Sequence, residues 1–156
     1  MNKVHIDKIR LLDGKFNSIQ IGDLSDVKIK NKEIIGFDSD IRHSNRMNIE
    51  NKLMKIIFDI QIFALTNESK SDKKLSAQFK MSFNFYIENL DELVIPAKSV
   101  KSKSVIFNID AELGKTSVSV AYSTARGMLI NQNRGLWVEN AILPLIKPDD
   151  LLKTHK

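Results

Sequence analysis

The chain has no cysteine in 156 residues, which excludes disulfides, thiolate metal sites and a cysteine nucleophile. That usage is compatible with a reducing compartment, and the cytoplasm is the expected location. No apolar run approaches the roughly 20 residues of a membrane helix. The N-terminus alternates charge and hydrophobicity where a signal peptide would carry an apolar core, so the protein is expected to be soluble and to stay where it is made. Catalytic equipment is equally sparse. His5, His43 and His155 are the only histidines; none has another ligand at metal-site spacing, and each reads as a surface residue. The serines lack a nucleophile-elbow sequence. Gly114-Lys115-Thr116 resembles the end of a phosphate-binding loop, but the first glycine of that motif is missing. Neither an enzyme nor a cofactor or metal is expected.

Charge is the next constraint. The 24 Lys and Arg residues exceed the 19 Asp and Glu residues, for a formal net charge of +5, which raises the question of an anionic partner such as nucleic acid. The cations are scattered, however. The densest group, Lys98, Lys101 and Lys103 among serine and valine, has no glycine-rich cradle and no interleaved aromatics. It reads either as a solvated loop or as an anion contact.

What the chain does have is alternation. Leu75, Ala77, Phe79, Met81, Phe83, Phe85 and Ile87 alternate with polar or amphipathic residues, the period of a β-strand with one apolar and one wet face. Met54, Ile56, Phe58, Ile60, Ile62 and Ala64 form a second such row. Residues 66–74 between them are charged and nearly free of apolar side chains, as in a hairpin loop. Two long antiparallel strands therefore form the spine of a half-buried sheet.

Around this spine the pattern is less regular. Val4 and Ile6 change parity against Ile9 and Leu11, which predicts a bulged strand or two short pieces, and Asp13-Gly14 and Asn31-Lys32 predict turns. Phe16, Ile19, Ile21, Leu24, Val27 and Ile29 follow no period. Ile35, Phe37, Ser39, Ile41 and His43 share one parity and predict an edge-like strand, with Ser44-Asn45-Arg46 leading into the hairpin. Residues 88–93 predict one helical turn, and a loop follows through Lys103. Val118, Ala121, Tyr122, Ala125, Met128 and Leu129 then make the stripe of an amphipathic helix over residues 109–132. Asn108 is its expected N-cap, and Arg134-Gly135 its stop. Residues 136–148 are strongly apolar without a period, and Pro148-Asp149-Asp150 opens a short terminal helix. The expected class is α+β: a single domain over residues 1–156, with a four-stranded antiparallel sheet followed by one long helix and a short C-terminal helix.

The C-terminal third resembles the SecB family of protein-export chaperones. The residues that carry the resemblance are Ala125-Arg126 within the helix, Arg134-Gly135 closing it, and Leu143-Pro144-Leu145-Ile146-Lys147-Pro148-Asp149-Asp150-Leu151-Leu152. Phe83-Asn84-Phe85-Tyr86-Ile87 before the helical part also looks like the family's sheet. The family places an aromatic two residues before its helix arginine; here that position is Thr124, and Tyr122 stands four before Arg126. The family is acidic and docks its sheet on the translocase motor, whereas the wet face here offers Lys80, Ser82 and Asn84.

The resemblance implies a homotetramer, a dimer of dimers, holding unfolded polypeptide clients in apolar grooves between sheet and helices without ATP. It points to Leu136 and Trp137 in the connection, with Met81, Phe83 and Phe85 from the strand, as client contacts, and to a translocase motor or an antitoxin as further partner. A sheet with one greasy face and a single long helix to cover it is expected to associate in any case. The competing expectations are a basic module for nucleic acid or an anionic surface, and a purely structural subunit.

Overall fold

The two alternating rows become the two central strands of a sheet. The computed structural model describes residues 3–23, 34–66, 75–97 and 106–153. Leu24, Val27, Ile29, the Asn31-Lys32 turn, the hairpin loop beyond Thr66, the lysines at 98, 101 and 103, and His155 lie outside them. Strands β1 (Ile9–Ile21), β2 (Ile34–Asn48), β3 (Leu53–Thr66) and β4 (Ser76–Ile87) form one antiparallel sheet in the order β1-β4-β3-β2. Ile56 pairs with Phe83, Phe58 with Met81 and Ile60 with Phe79, and all six are fully buried. Each contributes roughly 1.5–3 kcal/mol by leaving water, so this inner face fixes the register of the core.

Strand β1 corrects the expected Asp13-Gly14 turn. A 3₁₀ turn over Ile6–Lys8 precedes it, and the strand then runs straight through Asp13 and Gly14. Register shifts at Leu11/Asp13 and Phe16/Ser18 each move the inward row by one residue. Ile9, Leu11, Gly14, Phe16, Ile19 and Ile21 therefore face the core partners Ile87, Phe85, Phe83, Met81, Phe79 and Ala77, a row that period-two counting cannot find. Gly14 is there for space: a Cβ on it would stand 2.7 Å from two ring atoms of Phe83.

Strand β2 is longer than expected and includes Ser44, Asn45 and Arg46. A register shift between Ile34 and Gly36 turns Ile35 outward, where it is 55% exposed. The chain reverses over residues 49–52, with Lys52 at φ 56° and its Nζ donating to the Glu88 carbonyl at 2.7 Å. His43, expected on the surface, is buried, its ring 6.1 Å from that of Phe58, because its parity places it on the core face.

After β4 the expected helical turn appears as α1 (Leu90–Leu93). Two four-residue strands missed in the sequence, β5 (Val94–Ala97) and β6 (Ile106–Ile109), pair with each other. Helix α2 (Ala111–Gln132) follows. Asn108 belongs to β6, and the N-cap is Asp110, whose Oδ1 accepts from the N–H of Glu112 and Leu113 at 2.9 and 3.2 Å. Asn133 is the C-cap, and Gly135 turns the chain at φ 77°. The inward stripe includes Val118, Ala121, Tyr122, Ala125 and Leu129, all buried, with Tyr122 edge-on to Phe58. Helix α3 (Pro148–Lys153) closes the structure, with Leu151 buried.

Two glycine substitutions should move stability in opposite directions. Gly14→Ala must displace the Phe83 ring and is expected to cost about 1–3 kcal/mol. Gly127 sits in the helix interior with nothing within 4 Å of a built Cβ, so Gly127→Ala should add roughly 0.5–1 kcal/mol. Denaturant unfolding of both variants checks the pair.

Candidate functional site

The site is built where the chain leaves α2 and crosses the β2 side of the sheet. Residues 136–147 lack a period because they are neither helix nor paired strand. Hydrogen bonds from the N–H groups of Leu136, Glu139 and Ala141 to the carbonyls of Asn133, Leu136 and Val138 wind the first part into turns. The second part is extended and alternates: Ala141 and Leu143 are buried, whereas Ile142 is 64% and Leu145 86% exposed.

Two helix side chains hold this connection in place. The Tyr122 hydroxyl donates to the Pro144 carbonyl at 2.9 Å, and Arg126 Nε donates to the Leu143 carbonyl at 3.1 Å. An extended segment without a strand partner needs such donors for its carbonyls. Burial pushes the Tyr122 phenol up to about 12, with the Arg126 charge working against that rise. Trp137 fixes the other end. Its Nε1 donates to the Gly22 carbonyl at 2.7 Å, and its ring stacks on Phe37 of β2 with centroids 6.4 Å apart.

Between the connection and β2 lies a half-open cleft of about 250 Å³. Phe37, Asp38 and Ser39 form one side, Ile62 the floor, and residues 141–144 the opposite wall. Strand β2 is an edge: among the described residues it pairs only with β3. An apolar cleft beside a row of unpaired backbone N–H and C=O groups can receive an extended chain, with main-chain hydrogen bonds along the strand and alternate side chains in the cleft. Among the described residues no three His, Asp or Glu side chains cluster to hold a metal ion, and no helix is long and apolar enough to cross a membrane.

The five residues singled out in the sequence separate into two groups. Leu136 is 39% exposed and Trp137 half-buried, both on the connection and close to the cleft in the chain. Met81, Phe83 and Phe85 are fully buried, since they occupy the inner face of a central strand. In this state they form core and present nothing to a ligand. Phe37, Ile62, Ile142 and Leu145 were missed, as was the pairing of Tyr122 and Arg126 with the connection. The one available signal was the apolar run 136–148 itself, too long without a period to be an ordinary loop.

No protein-family model matches the chain, and no curated protein matches its sequence. Among solved structures it is similar to the SecB-like chaperone Rv1957 of Mycobacterium tuberculosis, in complex with a ChAD peptide from the HigA1 antitoxin (Rv1956), with a TM-score of 0.52. The similarity covers 89% of this chain and 88% of that one at 9% sequence identity. It is a likeness of fold: the four-stranded sheet, long helix and short terminal helix make a SecB-like architecture.

Tyr122 gives a test of how the connection is held. The folded phenol resists ionisation, whereas the unfolded one ionises near its ordinary value of 10. The stability this supplies is complete below pH 10 and is lost as pH rises from 10 toward 12. Tyr122→Phe should lose about 1 kcal/mol at neutral pH with the hydrogen bond to Pro144. Its melting temperature should then fall less steeply than that of the native chain across the same alkaline range.

Proposed function

We propose that this chain is an ATP-independent holdase that keeps unfolded or partly folded polypeptides from aggregating. The carrying observation is the cleft beside residues 37–39 of β2, a strand that among the described residues pairs only with β3, with Leu136, Ile142 and Leu145 standing exposed on the connection beside it. An extended client would pair with β2 and place alternate side chains against Phe37, Ile62 and Pro144. Trp137 would brace the cleft through Phe37 and Gly22, and Leu136 would extend its apolar rim. Met81, Phe83 and Phe85 would reach a client only if α2 moved from the sheet. The SecB-like fold supports this reading, as does a neighbour of that fold bound to a peptide.

The natural setting we propose is a cytoplasmic one, either protein export or the protection of a particular client such as an antitoxin, with no catalysis, cofactor or metal. Assembly into a homotetramer is part of the proposal. Val120 and Ile130 are exposed on α2 and are available to such an interface. Several weak contacts repeated across an oligomer give avidity without sequence specificity.

The test is light scattering from a chemically unfolded model protein diluted with and without this chain, without ATP. Near-stoichiometric amounts should suppress aggregation at low and at moderate salt. Suppression that vanishes as salt rises would favour the anionic-partner alternative instead, and unchanged scattering would leave only shared fold. Ile142→Ser and Leu145→Ser should each weaken capture about tenfold, since a buried large side chain is worth roughly 1.5–3 kcal/mol, with melting temperature unchanged. Trp137→Ala should weaken capture and also lower stability, because its indole bridges two strands.

A further inference from the structure

The sheet's outer face, opposite the cleft, is electrostatically divided. Toward the β2–β3 turn, three cross-strand rows run β1-β4-β3-β2. They read Arg10, Tyr86, Leu53, Asn48; then Asp13, Asn84, Lys55, Arg46; then Lys15, Ser82, Ile57, Ser44. These rows hold four cations and one carboxylate, and that carboxylate accepts from Asn84 Nδ2 at 2.7 Å. None of Arg10, Lys15, Arg46 and Lys55 forms an ion pair among the described residues. Glu50 and Glu88 lie past the strand ends.

The neighbouring rows differ. Lys80 and Arg42 flank Asp59 across the strands, Arg42 is also bound to Asp40 at 3.0 Å, and the Gln20, Gln78 and Gln61 row is neutral apart from Asp40 at its β2 end. The two halves therefore follow different rules. In the balanced half, cations stand opposite acids. In the other half, Lys55 stands directly opposite Arg46, a like-charge pairing that costs stability on one face of an antiparallel pair. The chain keeps this cost at positions where a neutral residue would remove it.

From this arrangement we propose that the outer face around Arg10, Lys15, Arg46 and Lys55 is a second interaction surface, and that its partner is an acidic polypeptide segment. The cations sit within three strand spacings and two residue pairs of one another, roughly 5 and 7 Å per step, a span that one extended segment can cover. Between them the surface offers hydrogen-bonding side chains, Asn84 and Asn48, and apolar ones, Leu53 and Ile57. It has Tyr86 as its one aromatic, half-buried, which is poor provision for stacking bases and good provision for a peptide that mixes carboxylates with apolar side chains. Lying on the opposite face from the cleft, it leaves client and acidic partner free to bind together.

Fluorescence anisotropy tests this with a labelled peptide alternating glutamate and serine, the same peptide with glutamine, and oligo-dT of equal charge. The glutamate peptide should bind at low salt and the glutamine peptide should not. The double variant Arg46→Glu with Lys55→Glu should weaken that binding at least about tenfold, and Lys147→Glu, a cation on the helical side, should leave it unchanged. Leu145→Ser should also leave it unchanged, which separates failure of this surface from failure of the holdase reading. Arg46→Gln should raise the melting temperature by about 1–3 °C as the like-charge pair is relieved. Three results would overturn the proposal: no binding of the glutamate peptide, binding indifferent to the double reversal, or tighter binding of oligo-dT through the same residues. A fall in melting temperature for Arg46→Gln would overturn the argument from the like-charge pair.

Discussion

Covering the inner face of β3 and β4 is the constraint from which the rest of the structure follows. Four strands about 5 Å apart present an apolar face wider than a single helix of roughly 10 Å diameter can shield. Helix α2 packs over β1 and β4, and its buried Ala121 and Ala125 let it come close to the phenylalanines beneath. The β2 side is left for the connection, which covers it with Val138, Ala141 and Leu143, all buried. The β1 side is covered less completely: Leu11 and Ile19 belong to the inward row yet are 37% and 39% exposed. The cleft is thus a product of sheet width, a seam where an extended segment substitutes for a second helix.

A connection used as cover must be held without secondary structure of its own. Two of its carbonyls are taken by Tyr122 and Arg126, one helical turn apart on α2, and its start is tied by Trp137 to Gly22, just past β1, and to Phe37 of β2. The resemblance to a family with a helix arginine and a nearby aromatic thus has a physical content in this chain. Spacing by four sets both donors on one side of the helix, so that they reach neighbouring carbonyls. The shift of the aromatic from the family's position does not break the arrangement.

The elements that could be read from sequence were those whose burial is uninterrupted. Strands β3 and β4 are buried on one face from end to end, so their period survives intact, and α2 showed its stripe for the same reason. Strand β1 was illegible because two bulges shift its parity, and Gly14, placed by the Phe83 ring, looks like a turn signal. Strands β5 and β6, four residues each, are too short for any period to register. At the site, the aperiodic run with its lone tryptophan is the connection that walls the cleft. Met81, Phe83 and Phe85, which the family resemblance pointed to as client contacts, are buried under the helix side, because alternation marks which side chains face inward but not what covers them. Phe37 and Ile62, which line the cleft, carry the same apolar signature as core and become distinguishable only once the path of the connection is known.

A sheet edge such as β2, which among the described residues pairs only with β3, is an aggregation hazard unless further pairing with it is restricted. Here the restriction comes from the two faces. A strand added to β2 would set alternate side chains toward Phe37 and Ile62 on the inner side, and toward Asp38, Asp40 and Arg42 on the outer side. A uniformly apolar segment would place half of its side chains against those charges. A segment alternating apolar with polar residues satisfies both faces, and this is the pattern of a strand from an ordinary half-buried sheet that has not yet found its own neighbours. Under the proposed function, the charges on the outside of β2 therefore select what the cleft accepts, favouring alternating sheet segments over uniformly apolar ones.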